Sequence, residues 1–417
     1  MDKLVQYITP DLIKYQLANL SQLVFEVTDA CNLHCKYCGF GEFYGNYEVR
    51  EDKNLSIEKA LKLIDYLVEF WNTNQNASAR RNVYISFYGG EPLLNMPFIK
   101  AIVNHVEELD CKQRFFTFSM TTNALLLSKN MDYLVEKDFN LLISLDGDAE
   151  NTAYRVDHNQ QPAFDRIVKN VEAIRQAYPD YFENKVRFNS VLHNKNSVEQ
   201  IYRFFKANYN KIPSIGEVNT MGIKPEMQEQ FRNMYQNVNE SLSQSEHYRE
   251  IERDMFISSA SYQSLCTFIH QYSGFVYHDY TDLLFDKKAA QKIPSGTCIP
   301  FSKKMYVTVN GKILPCERIG HQFALGDITD QEVVLDFDAI FNRYNTYLSK
   351  ITNQCSKCSN TKACTQCIFY LEDLEAKPVC EGFLNEEDFQ TYYRSQMAFL
   401  AENPDAYHRI MEEIVVE

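Results

Sequence analysis

The sequence predicts an α/β fold: a partial (β/α)6 TIM-like barrel followed by a cysteine-rich C-terminal region. Three observations predict it. From residue 23 to about 220, short β-rich runs alternate with longer segments of helical period, the pattern of repeated βα units around a parallel sheet. Cys31, Cys35 and Cys38 share one short loop just after the first apolar run. Seven further cysteines, Cys298, Cys316, Cys355, Cys358, Cys364, Cys367 and Cys380, crowd into 83 residues near the C-terminus.

Taken in order, the expected strands are Leu23–Val27, Val83–Phe87, Phe115–Met120, Leu141–Leu145, Val186–Leu192 and a weaker Ile215–Val218. Between them, Ser56–Trp71 reads as an amphipathic helix opened by a serine cap, and Pro97–Glu108 as one with proline in its tolerated first turn. Right-handed crossovers between parallel strands curl such units into a full or partial barrel, with reactive groups at the C-terminal strand ends. Residues 1–224 form this barrel, and 225–292 a mostly helical connector. Residues 293–384 form the cysteine-rich domain, and 385–417 two helices separated near Pro404. Within the cysteine-rich part, Met305–Val309 and Lys312–Leu314 flank Asn310-Gly311 as a hairpin with a two-residue turn.

Composition narrows the partners. Of 417 residues, 45% are hydrophobic and 24% charged, ordinary for a globular chain, and the formal charge of -14 disfavours nucleic acid. A peptide or small molecule is the expected partner. No apolar run approaches a membrane span, and Asp2, Lys3, Pro10, Asp11 and Lys14 interrupt the N-terminus where a secretion signal would be apolar. Twelve cysteines without such a signal indicate a reducing, cytoplasmic setting in which thiols serve metals.

The first cysteine group follows C-x3-C-x2-C. Four thiolates close an iron-sulfur cube or a zinc site, whereas three leave one iron open to a chelating cofactor. Half of a zinc site, or plain buried thiols, is the competing reading. The other strand ends supply polar groups. They are Gly89-Gly90-Glu91 after the second strand, Thr121-Thr122-Asn123 after the third, Ser144 and Asp146 after the fourth, and His193 after the fifth, with Arg155 nearby. The glycines let a ligand approach the backbone, Glu91 suits an ammonium, and the guanidinium fork of Arg155 suits a carboxylate. Each, taken singly, also fits a structural turn or cap. Cys355–Cys367, spaced C-x2-C-x5-C-x2-C, fits a zinc knuckle as well as iron. Cys111 and Cys266 fall outside both sets and read as small buried hydrophobes, Cys266 being available as a missing ligand.

Together these residues resemble the radical S-adenosylmethionine (SAM) enzymes: C-x3-C-x2-C with aromatic Tyr37 before the last thiol, then Gly-Gly-Glu-Pro. The later cysteines resemble the SPASM extension, whose opening fits Cys298, Gly311 and Cys316. Phrases such as FYGGEPLLN, SMTTNALLL and LPCERIGHQFALG are similar to Bacteroidales maturases of precursor peptides with a Gly-Gly leader. The resemblance implies a SAM-binding 4Fe-4S cluster on Cys31, Cys35 and Cys38. It places the cofactor against Tyr37, Gly89, Gly90, Glu91, Asn123, Ser144, Asp146 and Arg155. It also implies an outer auxiliary cluster on Cys355, Cys358, Cys364 and Cys380, and an inner one on Cys298, Cys316 and Cys367. Two residues stand between Cys364 and Cys367 where the family has three, and no cysteine lies just before Cys298, so the inner cluster is expected to keep an open iron. Glu317, next to Cys316, takes the place of the acidic base of sulfatase maturases.

The activity so implied is reductive cleavage of SAM to a 5′-deoxyadenosyl radical, hydrogen abstraction from a ribosomally made precursor peptide, and closure of a thioether or carbon-carbon cross-link. A flavodoxin- or ferredoxin-type donor would supply electrons. Only about twenty residues precede the first strand, which leaves no room for an N-terminal leader-binding domain. Leader recognition is therefore expected in the connector, the C-terminal helices or a separate partner. The rivals are a sulfatase-type maturase making formylglycine and a zinc-stabilised binding module.

Overall fold

The computed structural model describes residues 7–73, 75, 82–111, 114–272 and 293–414. The chain divides into two compact units, Asp11–Ile251 with Ile299–Asp336, and Met1–Pro10 with Glu252–Cys298 and Phe337–Glu417. This division differs from the four consecutive segments expected. The hairpin region after residue 299 belongs with the barrel, while the later cysteines belong with the end of the connector and the C-terminal helices.

The first unit is built on six parallel strands: β1 (Gln22–Thr28), β2 (Asn82–Gly89), β3 (Phe115–Thr122), β4 (Asn140–Ser144), β5 (Val186–Leu192) and β6 (Ser214–Glu217). They pair in chain order. β4 and β6 each lie one residue earlier than expected. Alternation along β1 sends Leu23, Phe25 and Val27 to one face and Val24, Glu26 and Thr28 to the other. On the first face the strands meet helices. The Phe25 ring lies edge-on to Phe98 at 5.8 Å, on the helix Met96–Glu108. Phe87 and Phe118 flank Phe139 at 5.7 and 5.5 Å. The helix Ile57–Trp71 starts where Ser56 Oγ accepts from Lys59 N at 3.3 Å, and buries Ala60, Leu63, Ile64, Leu67 and Trp71 along one stripe. Each large apolar side chain buried this way contributes roughly 1.5–3 kcal/mol.

The sheet does not stop at β1. β7 (Met305–Val307) pairs parallel with β1, then β8 (Lys312–Leu314), β9 (Gly326–Ile328) and β10 (Val333–Val334) follow antiparallel, so one sheet of ten strands runs from β10 to β6. The β7–β8 connection differs from the expected two-residue turn. Gly311 N donates to Thr308 O at 2.8 Å and Thr308 N to Lys312 O at 3.0 Å, which leaves three loop residues with Gly311 at φ +89°. That geometry is the three-residue hairpin whose last residue must be left-handed, which explains glycine there.

In the second unit, the later connector is helical over Ala260–Tyr272; residues 273–292 lie outside the described residues. Phe256, Tyr262, Leu265, Phe268, Ile269, Ala406 and Ile410 form its core. The expected terminal helices are Glu386–Glu402 and Asp405–Glu413, parted by Pro404. A 19-residue helix, Phe337–Cys355, was not legible in the sequence; its Asn345 is 5% exposed and holds Tyr7 N and Ile8 O. Among the described residues, no helix is long and apolar enough to cross a membrane.

Candidate cluster and cofactor site

The C-terminal ends of β1 to β5 converge on the cysteine loop. After Thr28 the chain leaves the sheet, and the loop is strapped to the segment after β4. His34 N donates to Val156 O at 2.7 Å, Lys36 N to Tyr154 O at 3.1 Å, and His158 Nε2 lies 2.8 Å from Cys31 O. Backbone groups on both sides thus hold this loop in place. Cys31 and Cys35 are pushed up to about 11 and about 12, chiefly by burial, with the neighbouring thiols of the triad adding to it. Three soft donors crowded into one desolvated loop fit the three-thiolate corner of an iron-sulfur cube, whose positive charge would reverse that penalty.

Gly89 and Gly90 form the floor. Gly89 has φ +126°, and a Cβ there would lie 2.4 Å from Thr28 O; a Cβ on Gly90 would lie 1.9 Å from Ala30 O. Gly90 N donates to Thr28 O and Glu91 N to Ala30 O, so the Gly-Gly-Glu turn is stitched to the start of the cysteine loop. Gly90→Ala forces those two segments apart. It is expected to destabilise by about 1–3 kcal/mol and to weaken SAM binding, read by chemical denaturation and equilibrium dialysis respectively.

Three cofactor-contact expectations change in character. Glu91 is fully buried, and its oxygens accept from Leu93 N, Thr122 Oγ1 and Asn123 N at 3.1, 2.7 and 2.8 Å. Its carboxyl, pushed up to about 7 by burial, orients the turn and Asn123 and does not stand open to an ammonium. Asp146 and Arg155 engage each other. Arg155 Nε and Nη2 donate to Asp146 Oδ2 and Oδ1 at 3.0 and 2.9 Å, Val191 N adds 2.9 Å, and the Tyr37 hydroxyl donates to Oδ2. Burial alone would raise Asp146; Arg155, with His193 and Tyr37, outweighs it and holds the carboxyl at about 2. Both are thus pins for Tyr37 in the cysteine loop. His193, fully buried, stacks on Tyr37 at 5.4 Å with its Nε2 3.9 Å from Asp146 Oδ2.

Asn123 does reach the cysteines: its Nδ2 lies 3.7 Å from Cys31 Sγ and 2.7 Å from Asn32 Oδ1. Ser144 stands half-buried at the end of β4. Glu317 is clamped by Lys304 Nζ, 3.1 Å from both oxygens, and lies 3.6 Å from Cys316 Sγ. Burial raises this carboxyl, but Lys304 prevails and holds it below its ordinary range.

In the second unit Cys355, Cys358, Cys364 and Cys380 line a single cavity of about 300 Å³. Burial, then Cys364, Cys380 and Cys358, push Cys355 up to about 12, so four sulfurs share a space with charges that a metal centre would balance. These are the four residues expected for the outer cluster. Cys298 and Cys367 lie close enough for their charges to interact. Cys316 is part of the first unit. Cys266 pairs with His270 Nδ1 at 3.5 Å on a helix, and Cys111 is buried. The sequence reading missed Glu26, Arg50, Lys304 and Tyr306; a lone glutamate inside the apolar run LVFEV was the available signal.

Residues 25–207 match the radical SAM superfamily, and residues 298–368 match SPASM, an iron-sulfur cluster-binding domain. The chain is 29% identical over 197 residues to a cysteine-type anaerobic sulfatase-maturating enzyme of Clostridium novyi, covering 46% of this chain and 49% of that protein. It is 28% identical over 173 residues to the radical SAM cyclopropyl synthase TigE of Paramaledivibacter caminithermalis, covering 40% and 34%. The matches thus span half or less of these relatives. Native anSMEcpe with bound AdoMet superposes with a TM-score of 0.58 at 18% identity, covering 94% of this chain and 100% of that one. The same protein with AdoMet and the Cp18Cys peptide gives 0.56, covering 95% and 99%. The fold is a radical SAM α/β fold with a parallel sheet and a SPASM domain.

Proposed function

We propose that this radical SAM and SPASM chain is a maturase that cross-links a ribosomally made precursor peptide, using three 4Fe-4S clusters and SAM. The observation that carries the proposal is the pair of thiol sites: a set of three on a loop strapped to its neighbours, and a set of four around one cavity. When bound, the clusters and SAM supply one-electron chemistry and a primary-carbon radical.

The protein's share is positioning. Cys31, Cys35 and Cys38 would hold the SAM-binding cluster, and Gly89 and Gly90 offer backbone for close approach. Asn123 and Ser144 present an amide and a hydroxyl toward the cofactor, and the Asp146–Arg155 pair fixes Tyr37. Phe40 lies 5.1 Å from Tyr47 and 6.3 Å from Tyr88, giving an aromatic wall that limits water beside the loop. Glu317, kept ionised by Lys304, becomes a proton acceptor once that ion pair opens. Cys298 and Cys367, close enough for their charges to interact, would contribute to the inner cluster. A precursor with a Gly-Gly leader and a flavodoxin- or ferredoxin-type donor complete the reading.

The similarity to the sulfatase-maturating enzyme supports a second reading, oxidation of a cysteine or serine to formylglycine. A peptide product losing hydrogens with a new cross-link separates the first from an aldehyde product. Iron analysis separates both from a zinc module. Anaerobically purified protein is expected to be brown, with about twelve iron and twelve sulfide per chain; a colourless protein with stoichiometric zinc would overturn the proposal.

A further inference from the structure

Residues 294–298 form a strap against the cysteine loops of the second unit, and two consecutive residues of it meet thiols from both auxiliary sets. Gly296 N donates to Cys364 Sγ at 3.2 Å. The approach is close: a Cβ on Gly296 would lie 2.1 Å from Cys364 O and 2.7 Å from Thr365 Cα, so the absence of a side chain is what lets this amide reach the sulfur. Pro294, two residues earlier, lines the cavity of about 300 Å³ together with Cys355, Cys358, Cys364 and Cys380.

The next residue serves the other set. Thr297 is 6% exposed, and its Oγ1 accepts from Ile368 N. With that lone pair engaged, the hydroxyl still has its proton to give, and it hydrogen-bonds the Cys367 thiol, which also receives Phe369 N and Tyr370 N. Thr297 N donates to Ser295 Oγ at 3.3 Å, which fixes the strap between its two sulfur contacts. Cys298 follows directly, close enough to Cys367 for their charges to interact. Only two residues separate Cys364 from Cys367, so a two-residue strap reaches both.

A hydrogen bond to a ligating sulfur withdraws negative charge and favours the reduced, more negative state of an iron-sulfur cluster, which raises its potential. Away from water such a bond is electrostatically stronger. Cross-link closure gives this a purpose. It takes two hydrogens from the peptide, one leaving as an atom to the 5′-deoxyadenosyl radical and the other as a proton and an electron, so the chain needs a one-electron acceptor that is readily reduced.

We propose that Gly296 and Thr297 form a redox-tuning strap, the Gly296 amide on Cys364 and the Thr297 hydroxyl on Cys367 each raising the potential of the iron-sulfur centre its sulfur would ligate. This rests on the reading that these thiols hold iron. Both are positioning residues, acting through the sulfurs and not on the substrate.

The test is a redox titration of the full chain, reconstituted anaerobically and followed by electron paramagnetic resonance; signals that added SAM leaves unchanged report the auxiliary centres. Thr297→Val keeps the shape of the side chain and removes the hydroxyl. At the midpoint potential of the unaltered protein, its reduced-to-oxidised ratio for one auxiliary signal is expected to fall about tenfold, or about 59 mV for a one-electron couple. Thr297→Ser, which keeps the hydroxyl, should retain the original midpoint. Gly296→Ala, whose Cβ would displace the amide from Cys364, should also lower an auxiliary midpoint. The SAM-responsive signal should not move in any of them. Unshifted auxiliary midpoints in iron-replete Thr297→Val and Gly296→Ala proteins, equal shifts in the Ser and Val variants, or loss of auxiliary iron from both Thr297→Val and Gly296→Ala would overturn the tuning role. Zinc in place of iron in the unaltered protein would defeat the underlying reading instead; an iron-loaded protein whose midpoints ignore these substitutions defeats the strap alone.

Discussion

Replacing Cys31, Cys35 and Cys38 together by alanine is expected to reduce 5′-deoxyadenosine release to background while the chain remains folded. The loss follows from chemistry, because no other described side chain on that loop offers a thiolate. The persistence of the fold follows from the structure, because the loop's attachments are made by backbone groups and neighbours. His34 N to Val156 O, Lys36 N to Tyr154 O, and Tyr37 to Asp146 are untouched by the substitution. Iron should fall by about one third, since one of three four-iron clusters is removed. Continued release of 5′-deoxyadenosine at the unaltered rate would refute the assignment.

Asp146→Ala is expected to be among the most destabilising single substitutions in the barrel. It strips the 5% exposed Arg155 guanidinium of both carboxylate bonds and frees Tyr37 and Val191 N at once. Breaking a buried pair from one side costs about 3–5 kcal/mol, read by chemical denaturation. Removing both charges, as Asp146→Leu with Arg155→Met, should recover part of that loss, because no buried charge is then left alone. The pair also sets an acid limit. Folded Asp146 titrates at about 2 against an ordinary 3.8. Its stabilisation is therefore complete above the ordinary value and is lost as pH falls from there through 2. The Asp146→Ala variant should show a flatter stability profile over that window.

Which parts of this molecule were legible in its sequence depends on the range of the interactions. β1 to β5 show a local period of two, and Ser56 is a local cap, so those elements could be read directly. The triad Cys31, Cys35, Cys38 and the set Cys355, Cys358, Cys364, Cys380 were legible as groups because each is closely spaced in the chain. The extension of the sheet was not, since Leu23 pairs with Met305 across 282 positions and nothing local announces it. Asp146 and Arg155 were recognised as polar strand-end groups, but only the fold shows that each meets the other before it can meet a ligand. The setting of Glu91 was not legible for the same reason: Leu93 N, Thr122 Oγ1 and Asn123 N meet its oxygens only in the fold. The helix Phe337–Cys355 escaped notice because its buried face mixes Tyr344, Asn345 and Tyr347 with aliphatics, blurring the apolar stripe.

The Glu317 clamp has a consequence for the chemistry. A carboxylate held down by Lys304 is a weak base at rest, so proton removal from a substrate radical would have to be coupled to opening of that pair. Glu26, whose carboxyl burial pushes up to about 7, shares a face of the sheet with Tyr88.

The central claim, that this chain initiates radical chemistry on a peptide, is tested most directly by one incubation. The reconstituted protein is mixed under anaerobic conditions with SAM, a low-potential reductant and a candidate precursor peptide carrying a Gly-Gly leader, and both products are followed by mass spectrometry. The account predicts 5′-deoxyadenosine formed in step with a peptide lighter by a pair of hydrogens and carrying a new cross-link. Absence of 5′-deoxyadenosine from an iron-replete preparation would contradict it.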